Sequence, residues 1–404
     1  RIDRFADDPA TQATLHQVLG HAWARLGDGG RSVEHHRRAV ALLVDARGDD
    51  DPVTLDAQYQ LVVALAALAG TLDEAGQQLA TTDTAAGTRL LTASGLTLQA
   101  RWARATIARA QQRHESAIEQ LRAAEDLRAT VAPRDDVWTV RILDALSDSL
   151  FRVGRSGDAH EALRPLIDPE WTPERLGPVR WATLRLRFAS ILKSLQRLDE
   201  AETLTRAALD RLEKTNGPDD YFVGVALNQL ADLQGARGRW GDALAPSKRA
   251  DAIVRARLGE SSQTAWLSRV NVGVIEYQVG QYPQAVQDLR AGLDGLAGLL
   301  GAESPQAQGA AFYLAAALSE VGRQEEAWNL ADALDPAALA ASAMGEAWTP
   351  RMAALKGQIR LRQGRRTEGL AILQPAVEEM ERAGLQAWIL EPYRKALAEA
   401  KAGT

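Results

Sequence analysis

The stretch from Val225 to Gly238 reads VALNQLADLQGARG and places apolar residues at intervals of three and four. This spacing predicts an amphipathic helix with one apolar face. We expect Gly238 to end that helix, because a left-handed backbone costs glycine nothing sterically. Asp242 falls in the first turn of the next predicted helix, where the positive end of the helix dipole favours a carboxylate. The stretch therefore predicts two helices joined by a tight turn.

This turn recurs every 42 residues along nearly the whole chain. The step holds from residue 28 to residue 364 without a slip. The segments that share it are DGGRSVE (28–34), GTLDEAG (70–76), QRHESAI (112–118), GRSGDAH (154–160), QRLDEAE (196–202), GRWGDAL (238–244), GQYPQAV (280–286), GRQEEAW (322–328) and GRRTEGL (364–370). A fixed period of this length predicts a repeat array in which each repeat contacts mainly its neighbours.

Two rows of small residues predict how the helices of one repeat pack together. The row in the second helices consists of Val33, Ala75, Ala117, Ala159, Ala201, Ala243, Ala285, Ala327 and Gly369. The row in the first helices lies twelve residues earlier and consists of Ala105, Ser147, Ala189, Ala231, Gly273, Ala315 and Gly357. Small side chains on both helices allow a close antiparallel approach. Each repeat is therefore expected to be a helical hairpin whose apolar faces are covered by its neighbours.

The small–Gly–Ala spacing resembles that of the tetratricopeptide repeat, which usually has about 34 residues. The longer 42-residue version, with polar linkers such as GPDD (217–220) and GAESP (301–305), is similar to kinesin light chain repeats and many bacterial relatives. The resemblance covers roughly residues 11–383. It implies an all-α, right-handed superhelical solenoid of about nine antiparallel helix pairs.

Three regions are expected on this basis. Residues 1–10 would be an N-terminal leader, residues 11–385 the solenoid of nine repeats, and residues 386–404 a C-terminal capping helix with a short tail. The second helix of the second repeat is expected to be short and to end near Thr81. The polar pair Asp219 and Asp220 lies in a linker, so we interpret it as helix capping rather than acid–base chemistry.

Composition and charge remove several functional classes. The chain has 404 residues and a net charge of −6, which gives no electrostatic case for binding nucleic acid. It has no cysteine, so disulfides and thiolate chemistry are excluded. Its longest apolar stretch, LVVALAALA (61–69), is too short for membrane insertion. No nucleotide-binding, hydrolase or metalloprotease motif occurs, so we expect neither enzymatic activity nor a cofactor.

The first repeat contains the one histidine-rich segment of the chain. Its members are His16, His21, His35 and His36. A helix pair could bring some of them together. They lack the i, i+4 spacing of a metal site, and we interpret them as solvated helix residues with no metal role.

The resemblance also implies where a partner binds. In tetratricopeptide arrays the first helices line a concave groove that takes extended peptides or partner helices, often through asparagines. By register, the groove positions are Trp102, Asp144, Arg187, Asn228, Gln229, Asn271, Phe312 and Tyr313, followed one turn later by Arg109, Asp148, Lys193, Asp232 and Tyr277. The pair Asn228 and Gln229 matches the family's paired amides, and an amide offers a peptide backbone both a donor and an acceptor.

Packing is the alternative role for the aromatic members of this set. Trp102, Phe312 and Tyr313 have helical spacing that also fits burial between repeats, and Trp240 and Tyr282 at the turns are interpreted as structural. The charges of the predicted groove have both signs. They favour a mixed-charge polypeptide partner over a strongly charged polymer.

The sequence therefore predicts a non-catalytic scaffold that binds a protein or peptide. Its opening residues, 1–27, resemble the stretch that precedes tetratricopeptide repeats in proteobacterial Ser/Thr kinases and CadC-like winged-helix regulators, commonly after a membrane helix. The chain also opens on Arg1 rather than methionine. Both features favour the sensory or partner-binding region of a larger bacterial signalling or transcriptional regulator, periplasmic if the parent protein is membrane-tethered and cytoplasmic otherwise.

Two other functions fit the same pattern. In the first, the chain is a self-association or assembly scaffold, for example a homodimer, whose groove is filled by a second copy or by its own tail. Trp388 and Ile389 of the C-terminal helix would then cap the array or dock on a neighbour. In the second, the array is a receptor that closes around a small molecule or a peptide signal.

Overall fold

Helices begin where the 42-residue step predicts them. The computed structural model describes residues 8–25, 28–91, 94–340 and 345–403, and within these ranges it contains helices and turns but no β-strand. The helices after the repeated turn begin at Leu72, His114, Ser156, Leu198, Trp240, Tyr282, Gln324 and Arg366. Each start lies 42 residues after the one before it. The all-α fold and the period are therefore confirmed.

The chain divides into two compact units, and the first unit comprises residues 1–171. Its helices are α1 (Pro9–Arg25), α2 (Gly29–Arg47), α3 (Pro52–Ala67), α4 (Leu72–Ala86), α5 (Ser94–Ala110), α6 (His114–Val131), α7 (Asp136–Arg152) and α8 (Ser156–Leu163). They pack as consecutive pairs, α1 with α2, α3 with α4, α5 with α6 and α7 with α8. Helix α8 is short because Pro165 follows it, and residues Arg164–Ile167 continue as a 3₁₀ turn.

The second unit comprises residues 172–404. Its helices are α9 (Pro173–Leu176), α10 (Pro178–Ser194), α11 (Leu198–Asn216), α12 (Tyr221–Ala236), α13 (Trp240–Leu258), α14 (Gln263–Gln278), α15 (Tyr282–Leu300), α16 (Pro305–Glu320), α17 (Gln324–Asp332), α18 (Pro336–Ala340), α19 (Trp348–Arg362), α20 (Arg366–Arg382) and α21 (Ala387–Ala402). The pairs are α10 with α11, α12 with α13, α14 with α15, α16 with α17, and α19 with α20.

The helices of a pair run antiparallel and approach closely. In the pair of α12 and α13, a Cβ atom added to Gly224 would lie 3.1 Å from Ile253, and one added to Gly235 would overlap the ring of Trp240. The first turns of α12 therefore meet the end of α13, and the end of α12 meets the start of α13. Gly235 leaves the space in which the Trp240 ring packs.

The two rows of small residues form the contact between paired helices, as predicted. Ser147 of α7 and Ala159 of α8 are fully buried, and the Ser147 hydroxyl donates a hydrogen bond to the Ala159 carbonyl oxygen at 2.8 Å. In the pair of α14 and α15 the first row supplies Gly273, where an added Cβ atom would lie 2.7 Å from Leu289. A larger residue in either row would push the helices apart.

The turns and caps follow from the same sequence signals. Gly238 adopts the predicted left-handed backbone with φ of 71°, whereas Gln112 and Gln196 occupy the equivalent position with φ of 58° and 60°. Asp220 caps α12, because its carboxylate accepts a hydrogen bond from the Phe222 amide at 2.9 Å. The capping role predicted for this linker is confirmed.

The expected early end of the second helix in repeat two is wrong. Helix α4 continues past Thr81 to Ala86. The hydroxyls of Thr81, Thr82 and Thr84 each donate to a main-chain carbonyl four residues earlier, so these threonines bond within the helix instead of ending it.

Helix α21 covers the last helix pair. Its side chains Ile389, Leu390 and Tyr393 are buried in one apolar cluster with Ala354 of α19 and Leu373 of α20. Residues 1–7 of the predicted leader lie outside the described residues, and α1 begins at Pro9. The proposed boundaries of the three regions and the handedness of the array stay predictions.

Candidate functional site

A cavity of about 600 Å³ opens in the second unit among helices α10, α12, α14 and α16, the start of α13 and the start of α21. Five of the predicted groove residues line it: Lys193, Asn228, Asp232, Asn271 and Tyr313. They come from four successive first helices of the repeats. The register argument therefore brings these five residues to one cavity.

The cavity exposes the amides of Asn228 and Asn271. Asn228 is half-buried in α12, and Asn271 is exposed in α14. Neither side chain forms a hydrogen bond with any residue in the described parts of the chain. Each amide therefore keeps a donor and an acceptor for a ligand.

Gln229 has a different role from its neighbour Asn228. Its Nε2 donates to the carbonyl oxygen of Leu186 at 2.7 Å and to the Ser190 hydroxyl at 3.1 Å, both in α10. Since one residue is a rotation of about 100° on a helix, Asn228 and Gln229 face different neighbours. The Gln229 amide group joins α12 to α10, so its donor is already used.

The charged residues of the cavity pair with each other. Lys193 of α10 forms an ion pair with Asp232 of α12. In the first unit Arg109 and Asp148, which occupy the same repeat positions, form the equivalent pair at 2.8 Å. The mixed charges expected to meet a partner are therefore matched between adjacent repeats.

Tryptophan side chains dominate the apolar side of the cavity. Trp240, the first residue of α13, and Trp388, in the first turn of α21, have ring centroids 5.0 Å apart and planes at 73°. Val274, Ile275 and Ile389 continue this surface. Trp240 has the structural role expected of it, since its ring packs on Gly235, and it also lines the cavity.

An aromatic cluster around Arg351 supports Tyr313. Arg351 is 3% exposed, its Nη2 donates to the Tyr313 hydroxyl at 3.2 Å, and its guanidinium lies 5.0 Å from the Phe312 ring centroid and 4.6 Å from that of Trp348. Phe312 is 1% exposed and belongs to the core. Its role is therefore packing, the alternative considered for the aromatic residues of the predicted groove.

Burial keeps the tyrosines beside this cluster neutral. It raises the pKa of Tyr393 to about 12, and it raises the pKa of Tyr277 well above the usual value, with a further contribution from Tyr393. Tyr277 is half-buried between Tyr282 and Tyr313, at centroid distances of 5.8 and 6.2 Å. It lies next to the cavity without lining it.

The remaining predicted groove residues do not line this cavity. Trp102 of the first unit meets Trp138 edge-on with centroids 6.1 Å apart, and Asp148 is buried between Arg109 and Arg152. Asp144 and Arg187 are half-buried and have interaction partners within the chain.

The histidines of the first repeat do come together, but His16 and His36 are buried, contrary to their interpretation as solvated residues. The Nδ1 atoms of His16 and His35 lie 2.8 Å apart, and the rings of His21 and His36 meet edge-on with centroids 5.0 Å apart. Across the described residues, no group of three or more histidines and acidic residues is arranged to hold a metal ion. Among the described helices, none combines the length and apolarity needed to cross a bilayer.

Most of the residues that line the cavity were missing from the predicted site, among them Trp240, Leu385, Gln386 and Trp388. The signal available in the sequence was the pair of large apolar residues Trp388 and Ile389 at the start of an unpartnered final helix. The contact of Trp388 with Trp240 depends on how the intervening helix pairs stack. A local sequence pattern does not predict this stacking.

Comparison with known proteins supports the repeat fold. Residues 182–256 match the tetratricopeptide repeat family. No curated protein sequence matches the chain. A Rap protein complexed with competence and sporulation factor is similar over 98% of both chains, with 14% identity and a TM-score of 0.55.

Two further solved structures have a similar fold. Aspartyl phosphate phosphatase F from Bacillus subtilis is 15% identical over 93% of this chain and 94% of its own, with a TM-score of 0.56. A signal transduction ATPase with numerous domains from Pyrococcus horikoshii, which has a tetratricopeptide repeat sensor, is 16% identical over 90% of this chain and 54% of its own, with a TM-score of 0.55. At such identities the likeness concerns the fold alone.

Proposed function

We propose, from the premise that the chain is a tetratricopeptide-repeat array, that its second unit binds a short extended peptide segment in the cavity beside Asn228 and Asn271. The observation that carries the proposal is that both amides line one cavity and lack hydrogen-bond partners among the described residues. A peptide backbone presents alternating donors and acceptors, which two such amides can bind at successive positions.

The size of the cavity fits a peptide segment better than a whole helix. Its volume of about 600 Å³ lies within the range of about 300–1,000 Å³ that is usual for ligand pockets. A few residues of an extended chain fill such a space. The start of α21 borders the cavity and limits the space for a longer helical ligand.

Two structural relatives are in keeping with a ligand-binding role. The Rap protein of similar fold was crystallised with competence and sporulation factor. The relative from Pyrococcus horikoshii uses tetratricopeptide repeats as a sensor. By analogy, we infer that this chain is the sensory or partner-binding region of a larger bacterial signalling or transcriptional regulator, in the periplasm if that parent is membrane-tethered and otherwise in the cytoplasm.

We also infer that the array acts without catalysis. One relative is named as an aspartyl phosphate phosphatase, but 15% identity carries over only the fold. The lining residues that the structure describes include no histidine and no glutamate, and Lys193 and Asp232 pair with each other. Because the ion pair occupies both of these charged groups, we expect no acid–base catalysis at this cavity.

A peptide-binding experiment tests the proposal. The chain is panned against a displayed library of random peptides, and the selected peptides are synthesised and titrated. The double variant Asn228→Ala and Asn271→Ala should weaken their binding by about fivefold to a hundredfold, since each amide contributes about 0.5–1.5 kcal/mol of hydrogen bonding. The melting temperature should change little, because neither amide has a partner in the described structure.

Asn216 and Asn329 provide the matched control. Both are exposed in the second unit and neither lines the cavity. Their double replacement by alanine should leave the affinity unchanged. Selected peptides that bind the Asn228→Ala and Asn271→Ala variant as tightly as the parent chain would show that the cavity is not the binding site.

Docking of the chain's own tail is the second candidate role for the cavity. Trp388 of the last helix already contacts Trp240 of α13. This contact is intramolecular, so it favours the tail over a second copy as occupant. Light scattering over a range of concentrations separates the two, because a groove filled by a second copy requires a mass that rises with concentration.

A further inference from the structure

The structure assigns a second part to this cavity: an apolar pocket, built on Trp240 and Trp388, that selects a peptide by one large apolar side chain. The inference rests on the proposed function and adds the class of ligand and the residues that choose it. It also makes the C-terminal helix part of the binding site.

Both tryptophans are held in place by other contacts. Trp240 packs on Gly235, where any side chain would overlap its ring. Trp388 donates from its indole nitrogen to the Gln386 side chain, and the adjacent residues Ile389 and Leu390 are buried against α19 and α20. The two rings therefore form a fixed corner from two helices that are far apart in the sequence.

The corner is apolar, but its hydrogen bonding is incomplete. Val274 and Ile275 extend the apolar surface from α14. The indole nitrogen of Trp240 is buried and has no acceptor among the described residues. A buried donor without an acceptor is costly.

The charges around the cavity favour an uncharged ligand. The cation and the anion that line it, Lys193 and Asp232, pair with each other. A charged side chain would have to break this pair or lose its hydration against the tryptophans. A large apolar side chain instead fills space beside the rings, with its backbone within reach of the two asparagines.

Blocked pentapeptides test this selection. The probes are acetyl-Ser-Gly-X-Gly-Ser-amide with X as Trp, Phe or Leu, and the same frame with X as Asn, Glu or Lys. Saturation-transfer NMR with the full chain detects binding, and titration ranks it. The apolar set should bind at least tenfold more tightly than the polar set.

Substitutions test whether the two tryptophans cause the preference for an apolar side chain. Trp388→Ala and Trp240→Ala should each weaken binding of the apolar pentapeptides at least tenfold and leave binding of the polar pentapeptides unchanged. Trp388→Phe should retain most of the preference for apolar pentapeptides. Trp328→Ala is the matched control, since Trp328 is a half-buried tryptophan of the same unit that lines no part of the cavity. It should leave the preference intact.

The outcomes separate this inference from the proposed function. If both sets bind equally and still depend on Asn228 and Asn271, the apolar pocket is wrong and the peptide site stands. If the apolar preference survives Trp388→Ala and Trp240→Ala, other residues select the ligand and the inference fails. If neither these probes nor library peptides bind the cavity, both fail.

Discussion

Lys193 and Asp232 form an ion pair between the first helices of adjacent repeats, and both side chains remain partly exposed at the cavity. Arg109 and Asp148 repeat this arrangement in the first unit. Pairs of this kind contribute about 0.2–1 kcal/mol to stability when exposed. Their main effect is on the ligand, because a matched pair leaves the cavity without net charge from these residues.

Breaking this pair should change the preferred charge of the ligand. Asp232→Asn leaves the Lys193 ammonium group without its carboxylate, so peptides with an acidic residue should gain affinity by about threefold to tenfold at low salt. The gain should disappear as ionic strength rises, because exposed charges are screened. Asp148→Asn removes the equivalent carboxylate from the first unit and should leave peptide affinity unchanged. An unaltered charge preference in Asp232→Asn would place the ligand away from this pair.

The adjacent residues Asn228 and Gln229 should give opposite phenotypes. Gln229→Ala removes two hydrogen bonds between α12 and α10 and should lower the unfolding free energy by about 1–2 kcal/mol. Its effect on peptide affinity should be small. Asn228→Ala should weaken binding and leave stability nearly unchanged. Denaturant unfolding and peptide titration of both single variants measure the contrast, and equal losses of affinity would return Gln229 to the peptide-binding residues.

Sequence reasoning succeeded where one helical hairpin determines the outcome. The step of 42 residues, the buried contact of Ser147 with Ala159 and the left-handed Gly238 all follow from spacing and backbone sterics within one repeat. These features involve residues a few turns apart. Each can be read from the local sequence without knowing how the repeats stack.

The candidate site could be predicted only in part, for two physical reasons. Register placed Asn228 and Asn271 at the cavity, but it could not tell Asn228 from Gln229, whose roles depend on which helix each faces. The contact of Trp240 with Trp388 depends on the geometry accumulated over several helix pairs. The repeat pattern therefore could not predict that α21 borders the cavity.

The turn position held by Gly238 offers a route to a more stable chain. Gln196 occupies it with φ of 60°, where a residue with a Cβ atom is strained by about 1–2 kcal/mol. Gln196→Gly should raise the unfolding free energy by about 0.5–1 kcal/mol, because relief of strain exceeds the added freedom of the unfolded chain. Gln281→Gly is the control, since Gln281 has φ of −83° and gains nothing from glycine. Thermal unfolding distinguishes them, and a destabilised Gln196→Gly would contradict the strain.

Acid should loosen the first helix pair through His36. Burial, together with His21 and His35, lowers the pKa of His36 to about 4, whereas an unfolded histidine titrates near 6.5. The folded state therefore favours neutral His36. Its contribution is complete above about pH 6.5 and is lost as the pH falls towards 4, with a total on the order of 3 kcal/mol.

Hydrogen exchange at low pH tests this dependence. Amides of α1 and α2 should exchange faster at pH 4.5 than at pH 7 after correction for the intrinsic rate, because His16, His21 and His35 crowd the same interface as His36. His36→Gln removes the buried titratable group and should flatten most of this response. His160→Gln replaces a histidine of α8 in the same unit and should retain it. Equal acid sensitivity of the parent chain and His36→Gln would mean that another group carries the response.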